Sequence, residues 1–475
     1  MDLDKNRIPD NVKKIHLIAI CGTAMGALPC ALKDIGFEVT GSDHKVYPPM
    51  SDFLAHKGIE ASDGFDERNL AHRPDLVIVG NAVTKNNPEA EEMVRAGLHF
   101  CSMPQAVNRF LADGKKAIVI TGTHGKTTAS SILTWMLYEA GLDPSFMIGG
   151  ILKNFNSNYR LGKGEVIVIE GDEYDTAFFD KGPKFLHYNP FMAALTSIEF
   201  DHADIFNDIE HIRNAFDKFI SGISPSGRLF AFDGDKNVSE LVTKKECWVL
   251  KYGMDASSTW RLGEVSVDPP RTVFKVLKEG KPFGTFKTKL MGEHNLLNAL
   301  SVIAIANNMG ITAEVIGRAL ETFQGIKRRQ EIRGQKRGIT VMDDFAHHPT
   351  AVRETIRAVK PFYPNGRLIA VFEPRTNSSM RRVFQNVYPL SFDHADIICI
   401  RTPSRLDKIP VNERFSSEKL VEDLKNRGKD AHHFSDTESI PDFLIKEARS
   451  GDVILIMSNG GFDNIHEKLL KLIGS

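Results

Sequence analysis

The stretch Val119–Leu133, VITGTHGKTTASSIL, limits the folds open to this chain more than any other. An apolar run ends in a turn with two glycines, and Lys-Thr-Thr then leads into small and apolar residues at helical spacing. A buried strand, a tight turn and a helix in that order begin a parallel βαβ unit. Glycines let backbone N–H groups approach an anion, and the helix offers it a positive N-terminal end. In such a cradle Lys126 reaches the β/γ-phosphates and Thr127 binds Mg²⁺. The usual nucleotide loop, G-x-x-x-x-G-K-[ST], is longer; here Gly122 and Gly125 enclose only Thr123 and His124. The plainer reading, a solvated lysine after a Gly-rich turn, is weakened by Gly-Lys-Thr-Thr standing between a strand and a helix.

Strand-like runs alternate with helical patterns along all 475 residues. A first block opens with KKIHLIAI, turns at CGTAMG and passes through a helix to FEVTGSD; DLVIVG and KAIVITG follow. A second holds GEVIVIEGDE, FMAALTSIEFDH and GRLFAF, and short strands such as RTVFKVLK and GTFKTKL between Val242 and Leu290 suggest a small antiparallel patch. A third holds GITVMDDFAHHP, GRLIAVFEP, ADIICI and GDVILIMSNGG. At roughly 100–200 residues per domain, three domains are expected. A polar turn at Asp113-Gly114 and the charged GIKRRQE divide the chain into 1–113, 114–328 and 329–475. The expected fold class is α/β: a Rossmann-like N-terminal domain, a P-loop-type central ATPase domain with a parallel sheet, and a Rossmann-like C-terminal domain.

A formal net charge of -1 argues for neither a nucleic-acid nor a membrane partner. Five scattered cysteines fit a reducing compartment, MDLDKNRIPDNVKK has no apolar export core, and no apolar run approaches ~18 residues. A cytoplasmic protein is expected, as a monomer or weak homo-oligomer.

Further strand ends carry polar groups where open α/β sheets bind ligands. In IEGDEYD, Glu170 is placed to share Mg²⁺ with Thr127, with Asp172 and Glu173 in support. In SIEFDHAD, His202 beside Asp201 is a candidate for a second cation or a phosphate; a lone histidine is more often a surface group. In GEHNLLNALSVIAIA, Asn295 and Asn298 lie three apart on one helix face, and amides there can pair with a nucleobase edge or a phosphate. An arginine of GIKRRQE suits phosphate charge, and an aspartate of VMDDFAHHP suits a ribose hydroxyl.

The order GTHGKTT, EGDEYD, DHAD, GEHNLLNA, RRQE, DDFAHHP resembles the Mur ligase family over nearly the whole chain. The resemblance implies an ATP-dependent enzyme that joins an amino compound to a carboxylate on UDP-N-acetylmuramate or its peptides, through an acyl phosphate and with Mg²⁺. It implies that Gly122, Thr123, His124, Gly125, Lys126, Thr127 and Thr128 form a shortened phosphate loop. Lys126 would take the γ-phosphate, Thr127 with Glu170 one Mg²⁺, and His202 a second. Asn295 and Asn298 would contact ATP, with Arg329 on phosphate and Asp344 on ribose; Arg328 and Asp343 are adjacent alternatives. Gly22, Thr23, Met25, Gly26, Ser42 and Asp43 would hold the UDP sugar, and Arg375, Asn377 and Ser378 of the third domain the incoming peptide.

Three departures stand out. Ser197 replaces an Asn that often precedes the Asp-His pair, Ala19, Cys21 and Ala24 interrupt the first glycine-rich turn, and Lys218 is off the register of a lysine that some members carbamylate. Tyr174, the TAFFDKGPKF extension and FEPRTNSS resemble the branch that attaches intact L-Ala-γ-D-Glu-meso-diaminopimelate to UDP-N-acetylmuramate in wall recycling; the alanine-adding branch is the near alternative. From other classes, a nicotinamide-dependent oxidoreductase would use Gly22, Gly26 and Asp43, but Ala24 stands where a dinucleotide fingerprint needs glycine. A P-loop switch or transporter ATPase is the third reading.

Overall fold

The computed structural model describes residues 3–44, 46, 50–243, 245–404 and 406–474. Its apolar runs become strands buried on both faces, as parallel sheets covered by helices require. The first sheet is parallel and has the order Glu60–Asp63, Glu38–Asp43, Lys14–Ile18, Leu76–Val79, Phe100–Ser102. Chain order reverses at Lys14–Ile18, so the turn after that strand is a crevice of the kind that takes dinucleotides.

The second sheet has ten strands. Lys116–Thr121 lies between Val166–Gly171 and Pro190–Leu195, parallel to both. Beyond Pro190–Leu195 come Arg228–Phe232 and Trp248–Gly253, then Trp260–Asp268, Arg271–Lys278 and Lys281–Thr288. These last three pair antiparallel with one another, as expected, but they are not a separate patch. Tyr252 and Gly253 bridge in parallel to Trp260 and Arg261, so the sheet runs on without a break. The continuation buries Trp260, Phe274 and Phe286 under the alanine-rich helix Glu293–Asn308.

The third sheet, Glu331–Lys336, Ile339–Asp344, Val453–Met457, Leu368–Phe372, Ile397–Arg401, Asp430–Phe434, is parallel except for its first pair. The chain is therefore α/β with three domains. No helix among the described residues is long and apolar enough to cross a membrane.

Candidate active site between the central and third sheets

The central strand Lys116–Thr121 delivers the chain to the loop, and register places the flanking groups. Ile120 faces Glu170 on one side, and Thr121 faces Leu195 on the other. Gly122 has φ 129° and Gly125 φ 82°, and a Cβ on either would lie 2.2 Å from a neighbour, Thr196 Oγ1 or Asn298 Oδ1. The adjacent strand end pins the loop. The Ser197 carbonyl accepts from Thr123 N–H at 2.9 Å, and Ser197 Oγ accepts from His124 N–H at 3.0 Å. The serine that departs from the usual Asn is thus a structural part of the loop. Helix Lys126–Glu139 follows, and its first-turn N–H groups lack intrahelical partners, the arrangement that binds phosphate.

Lys126 Nζ donates to the carbonyls of Gly122 (2.6 Å) and Thr123 (3.2 Å) and to both oxygens of Glu173 (3.0 and 2.7 Å). Glu173 is 2% exposed, and its Oε1 is also 3.0 Å from His202 Nε2. Burial disfavours the Lys126 ammonium, but Glu173, Asp172 and Glu170 outweigh it and its pKa is raised. His202 follows the same balance: burial lowers its pKa, Glu173 and Asp201 more than restore it, and the result is raised. Glu173, read from sequence as a supporting group, is the carboxylate at the centre.

Among the described residues, Glu170 takes its hydrogen bonds from neutral donors. Thr127 Oγ1 gives a hydrogen bond to its Oε1 (3.0 Å) and Gly149 N–H to its Oε2 (2.8 Å), and burial raises its pKa. A buried carboxylate beside a hydroxyl is a donor set for a hard cation. Asp172 binds Lys184 at 2.7 Å. Lys184 closes the TAFFDKGPKF extension, which folds as the hairpin Asp175–Ala177/Asp180–Pro183. At its tip Phe178 and Phe179 pack on the first domain, with Phe179 edge-on to Phe100 at 4.9 Å. The extension therefore ties the phosphate-side cluster to the first domain.

The third domain closes the other wall of a cavity of about 380 Å³. Arg329, Asp344, Asn295 and Asn298 all line it, together with Lys126, Thr127, Glu170 and His202. Each doublet separates by direction. Both arginines lie over the Phe345 ring, but Arg329 lines the cavity, whereas Arg328 donates to the Ser458 and Gly460 carbonyls and lies 3.6 Å from Asp343. Asp344 accepts from the Gln330 and Ala346 N–H groups at 2.8 and 2.7 Å, and burial raises its pKa. Asn295 donates to the Met291 carbonyl (2.9 Å) and to Gln330 (3.1 Å). Phe232, Tyr252, Leu290, Phe323 and Ile326 make an apolar end.

Known proteins match this arrangement along the chain. Residues 14–115 match the Mur ligase family catalytic domain, 120–306 the Mur ligase middle domain, and 328–460 the Mur ligase glutamate ligase domain. The UDP-N-acetylmuramate–L-alanyl-γ-D-glutamyl-meso-2,6-diaminoheptandioate ligase of Escherichia coli is 39% identical over 458 residues, 96% of this chain and 97% of its own length. The chain belongs to the Mur ligase family. The UDP-N-acetylmuramate–L-alanine ligase of Clostridium kluyveri is 32% identical over 462 residues, 96% of this Mur ligase and 98% of its own length. A murein peptide ligase structure from Psychrobacter arcticus superposes with TM-score 0.72 at 34% identity, covering 98% of this chain and 99% of that one. The Thermotoga maritima UDP-N-acetylmuramate–alanine ligase has TM-score 0.81 at 24% identity, covering 97% and 99%, and shares the fold. This Mur ligase is an ATP-dependent ligase, which sets aside the oxidoreductase and switch readings.

Its two other groups of expected site residues are not part of the cavity lining. Gly22 caps helix Thr23–Ile35, within which Met25 is buried and Gly26 N–H bonds the Gly22 carbonyl. Asp43 holds this turn, accepting from Cys21 N–H at 2.8 Å. Ser42 points inward: it is fully buried and its hydroxyl donates to Glu89 at 2.6 Å, so its side chain serves the fold. In the third domain Asn377 donates to Asp204 (2.9 Å) and Ser378 Oγ accepts from Ala203 N–H (3.1 Å), so both engage the DHAD loop. Arg375 Nη1 lies 3.6 Å from the buried Glu373 and its side chain is 23% exposed. Sequence reasoning missed Glu199, Gln330 and His348 of the cavity wall, since only the packing of the third domain on the second brings them together.

Proposed function

We propose that this Mur ligase joins L-alanyl-γ-D-glutamyl-meso-diaminopimelate to the carboxylate of UDP-N-acetylmuramate, through an acyl phosphate, in wall recycling. The substrate assignment is carried by 39% identity with the tripeptide ligase against 32% with the alanine ligase, each over 96% of the chain. On this reading residues 1–113 hold the UDP sugar, 114–328 the nucleotide, and 329–475 the amine. The turn at Gly22–Gly26 with Asp43 takes the diphosphate.

The loop and first-turn N–H groups bind the ATP phosphates, and Lys126 exchanges its bonds to the Gly122 and Thr123 carbonyls for the γ-phosphate. Asn295 and Asn298 address the nucleobase, whose ring suits the apolar end; Arg329 faces phosphate and Asp344 the ribose. Thr127 with Glu170, and Glu173 with His202, would hold Mg²⁺, which would neutralise charge on the transferring phosphoryl group. A carboxylate is a poor acyl donor, and phosphorylation gives it a leaving group for the amine to displace. The third domain excludes water from that acyl phosphate. Arg375 takes a peptide carboxylate with paired hydrogen bonds, on a loop tethered by Asn377 and Ser378.

The test is ADP release by the purified full chain. Release that requires both UDP-N-acetylmuramate and tripeptide, with a new amide by mass, and that is nearly lost in Lys126→Ala, is expected. ADP formation without the sugar nucleotide, or undiminished in the variant, contradicts the reading.

A further inference from the structure

Apart from the Thr127–Glu170 pair, three side chains from two domains converge on one point of the cavity wall. His124 comes from the phosphate loop, Glu199 from the segment after Pro190–Leu195, and His348 from the third domain, where it caps helix Pro349–Val359. Their donor atoms all lie within 4.8 Å of one another. Glu199 Oε2 is 3.5 Å from His124 Nε2 and 3.7 Å from His348 Nδ1. Both are ion-pair separations, longer than an ordinary hydrogen bond, and His124 Nε2, though buried, has no hydrogen-bond partner among the described residues. They are close to the edge of a tetrahedron with metal–ligand bonds of about 2.0–2.1 Å, which is about 3.3–3.4 Å. The supporting bonds are those a metal site needs. His348 Nε2–H donates to the Phe200 carbonyl at 3.2 Å, which fixes the tautomer and leaves Nδ1 as the ligand atom. The Thr350 hydroxyl donates to Glu199 Oε2 at 2.7 Å. Thr350 N–H also donates to His348 Nδ1 at 3.2 Å as the cap of helix Pro349–Val359, a bond that an ion on Nδ1 would replace.

We infer that His124, Glu199 and His348 form a site for a transition-metal ion of the Zn²⁺ class, which ties the third domain to the central one. Two imidazoles and one carboxylate select such an ion over Mg²⁺, which prefers oxygen ligands. Three protein ligands leave a position for water or a cavity ligand. The inference does not depend on which amine the enzyme joins.

The test uses the full chain stripped of metal, in excess Mg²⁺, titrated with Co²⁺ as a spectroscopic stand-in for Zn²⁺. One equivalent should bind with visible d–d absorption, and Zn²⁺ should displace it. Glu199→Gln in the central domain and His348→Gln in the third should each weaken binding about tenfold or more, while Thr350→Ala, which keeps all three ligands, should weaken it less. Circular dichroism confirms that each variant is folded, and the parent titration and Thr350→Ala stand without the ligand variants. Absence of the band in the parent, parent-like binding in the ligand variants, or a sulfur-to-metal charge-transfer band that places the ion on a cysteine overturns the inference.

Discussion

Replacing the two loop glycines by alanine should separate two kinds of constraint. At Gly125 the obstacle is a side chain: φ is 82°, and the new Cβ would sit 2.2 Å from Oδ1 of Asn298, itself 7% exposed. A left-handed alanine costs about 1–2 kcal/mol, and crowding the buried Asn298 side chain, which makes one loose 3.5 Å contact with Asn295, adds about 1 kcal/mol. At Gly122 φ is 129°, and Cβ meets Thr196 Oγ1 at 2.2 Å and the backbone N and O of Ser197 at 2.8 and 2.9 Å. Backbone cannot turn aside as an amide can. Overpacking of about 1–3 kcal/mol therefore joins a backbone cost of similar size, for a total of about 2–6 kcal/mol. In a domain of this size about 3 kcal/mol lowers the melting temperature by roughly 6–12 °C. The assay is thermal melting of both variants, with binding of a fluorescent ATP analogue. Gly122→Ala should melt lower than Gly125→Ala, and both should bind nucleotide more weakly than the parent. Parent-like melting and affinity in Gly122→Ala, or the reverse order, would refute the close-packed loop.

Glu170→Gln should raise the Mg²⁺ concentration needed for half-maximal activity, because the amide keeps the shape and loses the charge; an unchanged Mg²⁺ titration removes Glu170 from the metal site. Arg375→Lys should raise the tripeptide KM several-fold and leave the ATP KM alone, since a lysine cannot form paired bonds to a carboxylate; an unaltered tripeptide KM clears Arg375 of that role. Stability should fall with acidity through His348, whose pKa burial, helped by His124, lowers to about 4. The unfolded chain takes up this proton near pH 6.5 and the folded one near pH 4, so the contribution is complete above about pH 6.5 and lost between the two, on the order of 3 kcal/mol at most. With chelator present, His348→Gln should show a shallower loss of melting temperature from pH 7 to pH 5 than the parent; equal slopes would contradict this.

The strand, glycine turn and helix from Lys116 to Glu139 were legible because they are local patterns, each enforced by backbone geometry within a few residues. The extent of the central sheet was not. RTVFKVLK and GTFKTKL announce strands, but only the pairing of Tyr252 and Gly253 with Trp260 and Arg261 joins them to the parallel sheet. Doublets were ambiguous because neighbouring strand residues are chemically alike and differ only in facing: Asp343 turns to Arg328 and Asp344 to the cavity. Glu173 stood in a quoted motif, yet its place between Lys126 and His202 depends on two strand ends meeting. Glu199 and His348, 149 positions apart in the chain, carry no sequence sign of their meeting. Ser42 looked available from sequence because burial by Glu89 is a tertiary fact.

A competition between the two amines decides which one this Mur ligase uses. The full chain, with ATP, Mg²⁺ and UDP-N-acetylmuramate, is given L-alanine and the tripeptide at equal concentration, and the products are resolved by mass. UDP-N-acetylmuramyl-tripeptide is expected as the main product from the earliest time points, with ADP formed in step. A predominance of UDP-N-acetylmuramyl-L-alanine would contradict this and move the enzyme to the alanine-adding branch.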